Sequence, residues 1–85
     1  MRRQALPPIP SSQAKKYLES QDKKAKERIR KAIESIPEGD IVPLVNSKGS
    51  YRLRKGDFRV IFHWVSDEQI AIEKISPRGN IYKRR

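Results

Sequence analysis

The sequence predicts an α+β fold in one domain, residues 1–85: two N-terminal helices packed on a small, mainly antiparallel sheet of three to four strands. Three observations carry this. Tyr51, Leu53, Phe58, Val60, Phe62 and Trp64 are spaced by twos on either side of Lys55-Gly56-Asp57, as in a hairpin with one face in a core. Ala25, Ile29, Ala32, Ile33 and Ile36 fall on one helical stripe. A chain of 85 residues without cysteine has room for one compact core and no disulfide framework.

Taken in order, Arg3 to Pro10 holds Leu6 and Ile9 as anchors and three prolines that remove backbone donors. It suits an edge strand or an extended arm and excludes a central strand. Ser11 or Ser12 offers an N-cap, and Ala14, Tyr17 and Leu18 follow at the spacing of a short helix. Asp22 caps the second helix, which Pro37 and Gly39 end. The stretch Pro37 to Gly49 reads as a connector, with Asn46 to Gly49 a turn.

The hairpin is the most informative segment. With Lys55 and Gly56 as its loop, Arg54 pairs with Asp57, Leu53 with Phe58 and Arg52 with Arg59. Tyr51, Leu53, Phe58 and Val60 then share the core face, and Arg52, Arg54 and Arg59 share the other. A slip of one residue would turn arginines into the apolar side, which burial forbids. Ser66-Asp67-Glu68 marks another turn, and Gln69 to Ser76 a third strand with apolar residues on both faces, so its orientation stays open. Pro77 to Asn80 is a turn cluster that exposes Arg78, and Ile81-Tyr82 precedes the basic terminus.

The net charge is +10, from 20 Lys and Arg against 10 Asp and Glu. Residues 1–49 hold 11 basic and 6 acidic side chains and residues 50–85 hold 9 and 4, so the charge is not a detachable arm. That balance favours an anionic partner, nucleic acid or acidic protein, over the plain reading of a soluble surface only once the arginines group on one face. A single histidine and no cysteine argue against a zinc or iron cluster, so no cofactor is expected. No apolar stretch follows Met1-Arg2-Arg3, and none approaches membrane-spanning length, which makes a cytoplasmic protein without membrane contact the expectation.

The order strand, two helices, then three strands, with the motifs IPEGDI, YRLRKGDFRVIF and ISPRGNIYK, resembles the RelE/ParE superfamily of type II toxin–antitoxin toxins. The resemblance spans Ala14 to Lys83. It departs at the start, where Pro7, Pro8 and Pro10 stand in place of a regular first strand. The resemblance implies a RelE-like toxin, a ribosome-dependent endoribonuclease (mRNA interferase) that cleaves mRNA in the A site, with Arg52, Arg54, Arg59, Arg78 and Tyr82 as its catalytic surface. It implies as partners a cognate antitoxin protein, the ribosome with its rRNA, and mRNA, with DNA reached only through the antitoxin. The ParE-like branch instead poisons DNA gyrase, and a non-catalytic binding module is the third alternative.

RNA carries its own nucleophile in the 2′-OH, so a metal-free site has to align it, stabilise added negative charge and protonate the 5′ oxygen. Arginines supply fixed forked donors for that charge, and Tyr82 can stack on a base or orient the 2′-OH. A guanidinium with pKa above roughly 12 is a poor general base. Relatives often have lysine where Arg52 and Arg54 stand. His63 shares the face of Arg59 by parity, and its plain reading is a half-buried strand histidine.

Overall fold

The helical stripe of residues 25–36 lies on one face of a five-stranded sheet. The computed structural model describes residues 3–45 and 48–77. Their elements run β1 (Ile9–Pro10), α1 (Ser12–Glu19), α2 (Lys23–Glu34), β2 (Asp40–Pro43), β3 (Ser50–Lys55), β4 (Phe58–Trp64) and β5 (Ile70–Pro77). The sheet order is β1-β5-β4-β3-β2, with β1 parallel to β5 and every other pairing antiparallel.

This corrects the expected architecture. The sheet is mixed and has five strands rather than three to four, and a strand precedes the helices. Pro7, Pro8 and Pro10 cannot donate to a ladder, so β1 is only two residues long and sits at an edge. The segment read as a connector contains β2. It is short and ends on Pro43, and its pairing Asp40↔Arg54 to Pro43↔Tyr51 is imposed by β3 rather than announced by its own alternation.

Both helices start on the expected caps. Ser11 Oγ accepts from Ala14 N at 3.1 Å and Asp22 Oδ1 from Ala25 N at 2.8 Å, each worth about 1 kcal/mol. Ile29, Ala32, Ile33 and, past the helix end, Ile36 are buried together with Ala14 against Leu53, Phe58, Val60, Phe62, Ile70, Ile72 and Ile75 of the sheet. Each of the large side chains gains roughly 1.5–3 kcal/mol from burial. Trp64 and Tyr51 are half-buried at the margin of this core, Tyr51 stacked on Phe62 with ring centroids 5.8 Å apart.

The hairpin register is two residues from the expected one. Leu53 pairs with Val60, Arg54 with Arg59 and Lys55 with Phe58, which leaves Gly56-Asp57 as the loop. Gly56 takes φ +59°, the left-handed region that a first loop position of a two-residue turn reserves for glycine, and Asp57 is spared a strand position it disfavours. A shift of two keeps the parity, so the assignment of residues to faces is unchanged.

The two-faced pattern of β5 has a specific cause. Val60 pairs with Ile75 and Ile61 with Lys74, but Phe62 pairs with Ile72, so Glu73 is an extra residue in a β-bulge. The bulge resets the alternation, letting Ile70, Ile72 and Ile75 all face the helices while Glu73 and Lys74 face away. Beyond β1 the free edge of β5 is covered by α1: Ser11 Oγ donates to Glu73 O at 2.7 Å, and the Gln13 amide bonds both Ile75 N and O at 3.0 Å. The arm before β1 is tied down by Gln4, whose amide donates to Ile33 O and Ile36 O at the end of α2. No described helix is long and apolar enough to cross a membrane.

Candidate functional site

Both helices cover one face, so among the described residues no helix covers the other face of the sheet, and alternation sends every second residue of β2 to β5 onto it. The registers arrange these residues in three rows across the strands. The first is Asp40, Arg54, Arg59 and Ser76; the second is Val42, Arg52, Ile61 and Lys74; the third is Ser50, His63 and Ala71, with Glu73 joining from the bulge.

Arg52, Arg54 and Arg59 therefore sit on one surface, but not in the expected pairs. Arg54, rather than Arg52, is opposite Arg59, and Arg52 is opposite Ile61, one row along. Arg54 is exposed and its Nε lies 3.2 Å from Asp40 Oδ2, an open pair worth at most about 1 kcal/mol. Arg52 and Arg59 are half-buried, and the Nε of each is covered without a hydrogen-bond partner among the described residues. Two guanidinium groups laid against the sheet with uncompensated donors are a local cost that an anion on this face would offset. Arg78 and Tyr82 lie outside the described residues.

The third row was not legible in the sequence. Glu73 Oε2 accepts from Ser50 Oγ at 2.7 Å and contacts His63 Nδ1 at 2.7 Å. These bonds hold the Glu73 carboxyl below the usual carboxylate range: the Ser50 hydroxyl is the largest cause, burial opposes it, and the hydrogen bond and charge of His63 add to it. An ionised carboxylate only accepts, so the proton of the contact belongs to His63 Nδ1. The signal that could have revealed the trio is the broken alternation Ile70, Ile72, Ile75, which marks a bulge at Glu73 or Lys74.

On the helix side, concave regions flank the core. One lies where α2 meets the hairpin turn and is lined by Arg28, Lys31, Ser35, Lys55 and Asp57. A neighbouring one is lined by Tyr17, Gln21, Arg28, Asp57 and Phe58, and burial first, then the charge of Asp57, pushes the Tyr17 hydroxyl pKa up. A further one is an apolar groove between the proline arm and α2, lined by Pro8, Pro10, Leu18, Ile33 and Ile72.

No family model and no curated protein matches the chain. Solved structures do. A chain of the archaeal RelE–RelB complex from Pyrococcus horikoshii OT3 is similar at 30% identity and a TM-score of 0.65, over 95% of this chain and 100% of that one. A chain of the RelB–RelE antitoxin–toxin complex from Methanococcus jannaschii is 18% identical, with a TM-score of 0.65 over 81% of this chain and 88% of that one. A chain of the toxin–antitoxin complex RelBE2 from Mycobacterium tuberculosis is 14% identical, with a TM-score of 0.64 over 92% and 100%. The last two show the fold alone.

Proposed function

Because the chain belongs to the RelE-like family of toxin–antitoxin proteins, we propose that it is the toxin of its pair and a ribosome-dependent endoribonuclease. In this reading it cuts translated mRNA in the A site, with Arg52, Arg54, Arg59, Arg78 and Tyr82 as the reacting surface. The observation that supports it is the bare face of β3 and β4, where three arginines stand together and a carboxylate pairs with only one of them among the described residues.

The chemistry follows from the groups. A message laid across this face meets guanidinium donors from two strands whose spacing the sheet fixes, so no reorganisation is needed as charge builds on the phosphate. Arg52 and Arg59 stabilise the pentavalent phosphate, and Arg54 steers the adjoining one. Arg78 serves the leaving oxygen, and Tyr82 stacks on a base. The ribosome supplies the A-site conformation of the message. An antitoxin neutralises the protein by laying an apolar helix in the groove beside Pro10, Leu18 and Ile33, and acidic residues on the bare face.

Growth after expression tests the reading. Arg59→Ala restores growth of overexpressing cells while the purified variant stays folded. Toxicity that survives this change and Arg52→Ala argues against the reading, and DNA-damage signalling with intact mRNA would select gyrase as the target.

A further inference from the structure

The ribonuclease reading leaves one step without a residue. The 2′-OH must lose a proton, and a guanidinium does not take one near neutral pH. On the described bare face, Asp40 is paired with Arg54, Lys74 is a cation, and Glu73 is engaged by Ser50 and His63. The remaining group is the one histidine of the chain.

His63 sits on β4 opposite Ser50, one row from Arg52 and Lys74 and two from Arg59. Diagonal neighbours on one face are roughly 7–8 Å apart, within reach of a single nucleotide held by Arg52. Among the described residues, the charged and titratable groups on this face nearest the ring are Glu73 and Lys74 from β5 and Arg52 from β3. Nδ1 donates to Glu73 Oε2, so that whenever the ring is neutral its lone pair is at Nε2. Nε2 has no partner among the described residues, and the side chain is 39% exposed.

We propose that His63 is the general base of this face, and that Glu73 and Ser50 are positioning residues that fix its tautomer and ring plane. The proposal rests on the ribonuclease reading. Nε2 takes the 2′-OH proton as the 2′ oxygen bonds to the adjacent phosphorus. The P–O5′ bond breaks, its electron pair leaves on the 5′ oxygen, and water protonates that oxygen. The imidazolium returns its proton to the hydroxide so formed, leaving a 2′,3′-cyclic phosphate and a 5′-OH. The arrangement is that of a carboxylate holding a histidine in its working tautomer.

The test is single-turnover cleavage of a message on programmed ribosomes, from pH 5 to 9, with the full-length protein and with His63→Ala, His63→Gln and Glu73→Gln, each checked for a native melting transition. His63→Ala and His63→Gln should lose ~10²–10⁴-fold in the cleavage step, with ribosome affinity within about twofold of the wild type and with any fall of the wild-type rate toward acid pH absent. Added imidazole should restore part of the His63→Ala rate. Glu73→Gln should slow the same step while leaving ribosome affinity unchanged. A His63→Gln protein that cleaves at the wild-type rate, or loses affinity alone, overturns the role of His63 and leaves the nuclease standing. A folded wild type that cuts nothing overturns both.

Discussion

Arg54 on β3 faces Arg59 on β4 directly across the ladder, two like charges in one cross-strand pair. Such pairs are destabilising by a few tenths to about 1 kcal/mol, and Asp40 offsets only part of this from the far side of Arg54. The pair is a local conflict on a bare surface, as expected where binding rather than folding sets the residue. Replacing Arg59 with threonine is therefore expected to leave the melting temperature unchanged or a few degrees higher while abolishing toxicity. Calorimetry of the purified variant beside a growth assay checks both halves.

Phosphate contact by these arginines has a salt signature. Binding to single-stranded RNA should weaken linearly on a logarithmic salt scale, and each of Arg52→Ala and Arg59→Ala should flatten the slope by roughly 0.7. Asp40→Asn should tighten binding slightly, because Arg54 loses its competitor. Fluorescence anisotropy at several salt concentrations measures all three.

The depressed Glu73 carboxyl makes a directional statement about pH. A carboxyl whose folded pKa lies below its unfolded value contributes stability that is fully present above the ordinary carboxylate range and is lost as pH falls through the folded value. The gap in melting temperature between the wild type and Glu73→Gln should thus be largest near neutral pH and close in acid. Thermal denaturation of the two proteins at pH 7 and pH 3 gives the comparison.

Gly56 carries the turn that sets the hairpin register. An added Cβ there meets nothing within 4 Å, so Gly56→Ala should cost only the backbone term of a left-handed residue, about 1–2 kcal/mol. Gly56→Asn should cost less, since asparagine tolerates that region. Urea denaturation distinguishes the two.

The same turn shows where sequence reasoning stops. Alternation of Leu53, Phe58 and Val60 decides which face is buried, and it did so correctly, but it cannot tell a register from one two residues away. The helices were legible because Ser11, Asp22 and the 25–36 stripe are local signals. Strand β2 was not, because Asp40 to Pro43 becomes a strand only through pairing with β3. The Ser50–Glu73–His63 trio joins residues 10 and 23 positions apart through a bulge, and neither distance nor bulge is written in any one segment.

The central claim, that the arginine face cuts RNA during translation, is tested most directly by mapping mRNA 5′ ends after expression. One message should be left translatable and one should have its start codon removed. The account predicts new 5′-OH ends inside the reading frame of the translated message alone, absent when Arg59→Ala is expressed instead. Ends that arise equally in the untranslated message, or intact mRNA in cells that have stopped growing, would contradict it.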